Sequence, residues 1–152
     1  MQPMFTVGLR AVTADDLPIF FEHQRDPEAT TMAAFPARER DDFMEHWTAI
    51  LADRTGFTRT VLVEGAVAGN VVSWEHDGEW DVGYWIGREY WGRGIATAAL
   101  RLFLEEISAR PLHAHVAMSN VASIRVLEKC GFIRVREDGD EYLLVLWSPP
   151  GP

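Results

Sequence analysis

Residues 83–97 read GYWIGREYWGRGIAT, and this stretch decides how the chain folds. It begins as a strand, passes through a loop that carries Gly92 and Gly94, and continues into a helix. Glycines let the main chain approach a ligand closely, and the unpaired N–H groups at a helix start attract anions. Together with the positive charge of Arg93, these groups predict a phosphate-binding loop.

Two well-known phosphate loops do not match this stretch. A Walker-type loop requires Lys followed by Ser or Thr, where this chain has Arg93 and Gly94. The dinucleotide fingerprint requires a third glycine at the position of Thr97. It also requires an acidic residue about 20 positions further on, where His113 and His115 stand. Since an ordinary strand-to-helix turn also uses glycines, the loop alone leaves the ligand open.

A second segment, residues 120–132 with the sequence NVASIRVLEKCGF, narrows the choice of ligand for the loop. The two segments together resemble the acyl-CoA-binding motifs of the GNAT superfamily of N-acyltransferases, in particular the branch of the ribosomal-protein N-terminal acetyltransferases. The resemblance runs from Leu9 to Leu146 and is most specific in the two quoted segments. The superfamily's loop usually opens with Gln or Arg where this chain has Trp91, and a Trp there resembles the ribosomal-protein branch.

Length and composition bound the organisation of the chain. Its 152 residues can bury a core, and we predict a single GNAT domain over residues 3–148 with a Pro/Gly tail at 149–152. One cysteine excludes an intramolecular disulfide, and no apolar run approaches the roughly 18 residues of a membrane helix. No secretory signal is visible, so we expect a cytoplasmic protein. We expect it to be a monomer or a homodimer. The formal charge of −9 argues against nucleic acid and favours a cationic partner.

Apolar periodicity and turn residues predict short strands that alternate with helices. Strands are expected at residues 5–12, 58–63, 67–75, 80–86, 112–118, 132–137 and 142–147. Helices are expected from Thr13 onward and over residues 37–52, 94–109 and 121–130, while 26–36 is expected to be irregular. This pattern predicts an α/β (α+β) fold with a mixed, mostly antiparallel sheet and helices on both faces. The resemblance implies the GNAT fold, in which strands 80–86 and 112–118 splay apart at the centre of the sheet.

The resemblance also assigns residues to acetyl-CoA, the acyl donor that it implies. Its pantetheine arm is expected between the splayed strands, hydrogen-bonded to the backbone of Tyr84, Trp85 and Ile86, because an extended ligand can pair with free strand groups. The diphosphate is expected against the loop and helix start formed by Trp91, Gly92, Arg93, Gly94, Ile95, Ala96 and Thr97. No metal is expected.

Direct transfer of an acyl group to an amine requires a base, because an amine attacks only when it is unprotonated. Asp81 is the first candidate, since the ribosomal-protein branch commonly carries a carboxylate on this strand, facing the acceptor. Glu75, on the preceding strand, is the second candidate, and His76 is the third.

The departing thiolate benefits from a hydrogen-bond donor. Many family members place a tyrosine on the helix of the second motif, where this chain has Leu127. Asn120 is predicted to cap that helix, and the matching family residue also reaches the pantetheine or a bound water. The resemblance implies that Ser123 faces the sulfur and stabilises the thiolate.

The predicted function is acetyl-CoA-dependent transfer of an acetyl group to a primary amine, with a protein or peptide N-terminus as the leading acceptor. A small cationic amine, such as a polyamine or an aminoglycoside, is an alternative acceptor. A catalytically silent acyl-CoA-binding module is the alternative outside enzymology. His113 and His115 are interpreted as packing residues rather than metal ligands, and Cys130 as a small buried residue rather than a nucleophile.

Overall fold

The computed structural model describes residues 5–34 and 36–148. The strands are β1 (Val7–Arg10), β2 (Phe57–Val63), β3 (Ala66–His76), β4 (Glu79–Ile86), β5 (Leu112–Ala117), β6 (Ile133–Asp138) and β7 (Glu141–Leu146). The helices are α1 (Leu17–Arg25), α2 (Pro27–Ala33), α3 (Arg40–Ala52), α4 (Ile95–Glu106) and α5 (Val121–Lys129). Short 3-10 turns precede α1 at Ala14–Asp16 and follow β4 at Arg88–Tyr90.

All seven strands belong to one sheet, in the order β1-β2-β3-β4-β5-β7-β6. Every neighbouring pair is antiparallel except β4 and β5, which run parallel. The tight turns between β3 and β4 and between β6 and β7 carry Gly78 and Gly139 at positive φ. The predicted mixed, mostly antiparallel sheet is therefore confirmed.

The central strands β4 and β5 separate soon after they meet. Their pairing is restricted to Trp80 with Leu112 and Asp81 with His113, although β4 continues to Ile86. Each strand is held on its outer side, β4 by β3 and β5 by β7, along almost its whole length. The splayed central pair that the resemblance implied is confirmed.

Helices cover both faces of this sheet. Val71 and Val72 are successive residues of β3, so their side chains leave opposite faces. Val71 belongs to a core cluster with Leu100 and Phe103 of α4. Val72 packs against a second cluster that includes Phe20 of α1, together with residues of α3. The sheet thus buries apolar side chains on both sides, as predicted.

The prediction of an irregular segment at residues 26–36 was wrong, because α2 occupies most of it. Asp26 caps this helix by accepting hydrogen bonds from the N–H groups of Glu28 at 2.9 Å and Ala29 at 3.4 Å. Pro27 stands at the first helical position, where its missing N–H costs nothing. An acidic cap followed by proline is a helix-start signal, and the sequence reading did not use it.

Other predicted boundaries shift by a few residues. The predicted helix 37–52 begins at Arg40, and the predicted helix 94–109 ends at Glu106 because Ile107 is extended. Residues 3, 4 and 149–152 of the predicted domain and tail, as well as Phe35, lie outside the described residues. Within residues 5–34 and 36–148, no helix is long and apolar enough to cross a membrane.

A buried carboxylate ties the first turn of the chain to the sheet. The Asp16 side chain accepts hydrogen bonds from both terminal nitrogens of Arg10 at 2.7 and 2.8 Å. It also accepts from the Thr13 N–H at 2.9 Å and the Thr60 hydroxyl at 2.7 Å. The bond from Arg10 is the largest cause that holds the pKa of Asp16 below its ordinary value. Asp16 is 2% exposed, so these partners replace its hydration.

We expect Asp16→Asn to lower the free energy of unfolding at pH 7 by about 2 kcal/mol, the scale of a lost charged hydrogen-bond network. The pKa of Asp16 is depressed in the folded state, so its stabilisation is present above the unfolded pKa and is lost as the pH falls through the folded pKa. The difference between variant and wild type should therefore shrink in acid. Urea unfolding at several pH values measures it, and Asp15→Asn, in the same turn but exposed, is the matched control. Equal stability of the two variants would contradict the network's importance.

Candidate functional site

A cavity of about 450 Å³ opens beside the part of β4 that β5 leaves unpaired. Its walls come from the end of β4, the loop that follows, the first turn of α4, one side of α5 and the last turns of α2. Tyr84 and Trp85 both line it although their side chains leave opposite faces of β4. The cavity therefore connects the two faces of the sheet.

Most of the predicted cosubstrate residues meet in this cavity. Those that line it are Tyr84, Trp85, Ile86, Trp91, Gly92, Gly94, Ile95, Ala96, Thr97, Asn120 and Ser123. The structure thus brings the two sequence motifs, which lie more than twenty residues apart, to one place. Arg93 is the predicted member that is absent from the described cavity lining.

The loop before α4 leaves its backbone accessible. Gly92 and Gly94 have φ values of 74° and 75°, and a Cβ added to either would meet nothing within 4 Å among the described residues. The first backbone bond of α4 runs from the N–H of Ala98 to the carbonyl of Gly94. The preceding N–H groups, including those of Ile95 and Ala96, therefore have no partner within the helix and carry its positive dipole end. Such an arrangement favours the binding of an anion.

The backbone groups of β4 alternate between its two neighbours. The N–H of Gly87 donates to the carbonyl of Ala68 in β3 at 2.8 Å, so Trp85 also directs its backbone groups to β3. Tyr84 and Ile86 direct theirs to the opposite side, where β5 has moved away. The indole N–H of Trp91 donates to the carbonyl of Ile86 at 2.8 Å and occupies one of its two acceptor positions. Tyr84 and Ile86, rather than Trp85, thus present backbone groups to the cavity.

Positive charge reaches the cavity from α5 and not from the loop. The guanidinium of Arg93 lies over the ring of Phe5, 5.5 Å from its centroid. Arg125 and Lys129 line the cavity instead. Their spacing of four residues places them on one side of α5, a signal that the sequence reading did not use. These two cations are functional candidates that it missed.

The start of α5 holds a chain of polar groups at the cavity. Asn120 caps the helix as predicted, because its side-chain oxygen accepts from the N–H of Ser123 at 3.2 Å. The Ser123 hydroxyl lies 2.6 Å from the hydroxyl of Tyr84. Burial raises the pKa of Tyr84 to about 12. This hydroxyl pair joins β4 to α5 and was not predicted.

Asp81 lies three residues before Tyr84, on the opposite face of β4. It is 8% exposed, and its Oδ1 atom is 3.7 Å from the Nε2 atom of His115. Burial raises the pKa of the Asp81 carboxyl, and the nearby imidazoles of His115 and His113 oppose that change. The Trp74 indole lies on the same face, next to Gly83. The structure thus places a buried carboxylate beside an imidazole and an aromatic ring, at the point where β4 and β5 separate.

The other candidate bases are in different surroundings. Glu75 pairs with Trp80, so it lies on the face of the sheet opposite to Asp81, and it is exposed. His76 is also exposed, with its Nε2 atom 3.3 Å from Asp77. Glu75 and Asp81 therefore cannot serve the same side of the sheet.

The remaining chemically distinctive residues have local partners. His113 has its Nδ1 atom 3.2 Å from the carbonyl of Trp80. The thiol of Cys130 donates to the carbonyl of Thr97 at 3.8 Å, and burial raises its pKa. No group of three or more His, Cys, Asp or Glu that could hold a metal occurs in the part of the chain that the structure describes.

Residues 6–133 match the family described as "Acetyltransferase (GNAT) domain". The chain belongs to the GNAT acetyltransferase family. The predicted resemblance is therefore confirmed over most of the sequence. The description of this family as acetyltransferases agrees with the predicted enzyme class.

Individual relatives agree with this assignment. A Bacillus subtilis (strain 168) protein, provisionally named ribosomal N-acetyltransferase YdaF, is 30% identical over 101 residues, which cover 62% of this chain and 55% of that protein. The match thus spans little more than half of the relative's length.

Two solved structures share the fold. The spermidine N-acetyltransferase of Vibrio cholerae, in complex with CoA and spermine, has a TM-score of 0.79 at 18% identity, covering 93% of this chain and 95% of that chain. The aminoglycoside acetyltransferase AAC(6')-Ib, in complex with coenzyme A, has a TM-score of 0.75 at 20% identity, with the same two coverages. At these identities the structures establish the fold alone.

Removing the two cations of α5 should weaken phosphate binding. We expect Arg125→Ala/Lys129→Ala to lower the affinity for acetyl-CoA by about tenfold at low ionic strength, because two exposed charges each contribute up to about 1 kcal/mol. The loss should shrink as salt screens the charges. Titration calorimetry at two salt concentrations measures it. Arg93→Ala is the comparison. A larger loss of acetyl-CoA affinity in that variant would indicate that Arg93, rather than Arg125 and Lys129, binds the phosphates.

Proposed function

We propose that this chain is an acetyl-CoA-dependent N-acetyltransferase that acts on the α-amino group of a protein or peptide, in the cytoplasm, as a monomer or homodimer. Residues 3–148 would form its single domain. One observation carries the proposal: the cavity beside β4 holds an accessible helix start, and the buried carboxyl of Asp81 lies on the opposite face of the same strand. Such an arrangement suits a reaction between two substrates that approach β4 from opposite faces.

The donor side of the cavity fits acetyl-CoA. The N–H groups at the start of α4 and the side chains of Arg125 and Lys129 would hold the phosphates. The free backbone groups of Tyr84 and Ile86 would pair with the pantetheine amides, as a neighbouring strand does. Acetyl-CoA supplies the thioester whose acetyl group moves to the amine. Gly92 and Gly94 support this fit, because both line the cavity and leave open space beside their backbone.

Asp81 would serve as the base on the acceptor side. Burial raises its pKa, which makes the carboxylate a better proton acceptor than an exposed aspartate. It would take the proton of the attacking amine directly or through a water. His115, at 3.7 Å, would then stabilise the carboxylate or pass the proton to solvent, because its side chain is 41% exposed. Glu75, on the other face, would contribute little.

Ser123 would serve on the leaving-group side. The amine nitrogen attacks the acetyl carbonyl, the C–S bond breaks, and negative charge collects on sulfur. A hydroxyl at the cavity wall can donate a hydrogen bond to that charge, and this interaction is stronger in the transition state than in the ground state. Asn120 would hold the Ser123 backbone in place through the cap.

The choice of a peptide amine rests on the relative from Bacillus subtilis, whose provisional name assigns ribosomal N-acetylation. A small cationic amine is the second candidate. The formal charge of −9 and the exposed Trp74 ring on the same face as Asp81 favour it, because carboxylates and aromatic faces both attract ammonium groups. The fold is also shared with spermidine and aminoglycoside acetyltransferases.

Removing the carboxylate at position 81 should change the pH profile. We expect Asp81→Asn to lower kcat at neutral pH by about two orders of magnitude, because general-base catalysis contributes that much. Burial raises the pKa of Asp81, so its carboxylate should be protonated at a pH above the ordinary aspartate range. Wild-type activity should therefore fall more steeply with decreasing pH in that range. The variant should lack that steepening. Rates of thiol release between weakly acidic and alkaline pH measure it.

Glu75→Gln is the matched control for this variant, since it also neutralises a carboxylate at the end of a neighbouring strand. It should retain wild-type rates within about twofold. A large loss in Glu75→Gln together with an unchanged profile in Asp81→Asn would move the base to β3.

The acceptor can be identified by direct competition. We expect a peptide with a free N-terminus to be acetylated with a higher kcat/KM than spermidine or an aminoglycoside. The same peptide with a blocked N-terminus and a free lysine should react poorly, because a lysine amine has a pKa near 10.4 and an α-amine one near 8. Mass spectrometry locates the added acetyl group. Preference for spermidine would establish the second candidate, and thiol release from none of these amines would favour a silent acyl-CoA-binding module.

A further inference from the structure

The hydroxyl groups of Tyr84 and Ser123 form a short hydrogen bond at the cavity wall. Their oxygens are 2.6 Å apart, and the next acceptor for the Tyr84 hydroxyl is the Ser123 carbonyl at 3.4 Å. Both residues line the cavity beside the free edge of β4. A tyrosine on a strand thus reaches the first turn of α5 and touches the residue assigned to the leaving group.

The hydroxyl of a serine near the start of a helix has one proton, and several nearby acceptors can receive it. Its hydroxyl can rotate to donate to a backbone carbonyl three or four residues earlier, such as that of Asn120. In that orientation the hydroxyl would present only lone pairs to the sulfur, and lone pairs repel a thiolate. A group that donates to the Ser123 oxygen restricts the orientation of this hydroxyl and leaves its proton available for the sulfur.

We propose that Tyr84 is a positioning residue: its hydroxyl donates to the Ser123 oxygen and so directs the Ser123 proton into the cavity, toward the departing sulfur. The inference rests on the proposed function, which places that sulfur at Ser123. No proton leaves Tyr84. The amine proton goes to Asp81, the thiolate departs with its charge, and the two hydroxyls supply hydrogen bonds.

The surroundings of Tyr84 support a donor role. Its pKa of about 12 keeps the phenol protonated over the pH range in which an amine acceptor reacts. On α5, the position where many family members carry a tyrosine is Leu127, which is 2% exposed and packed in the core. In this chain, the phenol near Ser123 therefore comes from Tyr84 on strand β4, whereas many family members carry a tyrosine on the helix.

A double-mutant cycle tests the proposal. We expect Tyr84→Phe and Ser123→Ala each to lower kcat by about tenfold while the KM for acetyl-CoA changes less than twofold. The double variant should be no slower than Ser123→Ala alone, because Tyr84 acts through that hydroxyl. Tyr142→Phe is the matched control and should keep wild-type rates, since its ring lies 3.9 Å below Arg134 on the closing hairpin. The proposal is overturned if the losses of kcat in the two single variants multiply in the double variant, or if Tyr84→Phe keeps the wild-type kcat.

A binding measurement separates this inference from the proposed reaction. Free CoA carries the thiol itself, and a hydroxyl that donates to sulfur favours its thiolate. We expect the pH midpoint of thiolate formation in bound CoA, followed by ultraviolet absorbance, to be lower in the wild type than in either single variant, by about one pH unit for a tenfold effect. If the wild type acetylates no amine, the proposed function fails, and this titration still decides on Tyr84. Equal midpoints in wild type and Tyr84→Phe would overturn its positioning role.

Discussion

The separation of β4 from β5 is the constraint on which the rest of the structure depends. Two paired positions, Trp80 with Leu112 and Asp81 with His113, join the strands, and beyond them the inner edge of β4 is free. Backbone groups at a free edge need partners, and an ordinary sheet would supply them from the next strand. Here Trp91 meets the carbonyl of Ile86, and the other groups face a cavity. The sheet is thus open at its centre while its outer strands hold it together.

The open centre also separates two groups of polar residues in a small domain. The unpaired N–H groups at the start of α4 and the hydroxyl pair of Tyr84 and Ser123 lie toward α4 and α5. Asp81, which belongs to the last paired position, lies on the other face together with His115. Because a carboxylate and a phosphate repel each other, their separation by the sheet lets each keep its own electrostatic surroundings.

Local charge matters more than net charge at this site. The chain carries a formal charge of −9, yet Arg125 and Lys129 stand at the cavity where phosphates would lie. Net charge influences the approach of partners over long distances, whereas binding depends on the few charges within a screening length. A negative net charge is therefore compatible with two cationic side chains at one cavity.

By itself, the sequence determined the features that depend on neighbouring residues: the glycine loop, the start of α4, the Asn120 cap and the two tight hairpins. The family motifs added the splayed sheet and most of the cavity wall. Tertiary structure alone decided which groups meet. It placed the guanidinium of Arg93 over the ring of Phe5 and the imidazole of His115 near the carboxyl of Asp81. It also formed the hydrogen bond between Tyr84 and Ser123, which are 39 positions apart in the sequence. Helix and turn signals act over a few residues, but such contacts depend on strand register and helix packing, which are set by the whole core.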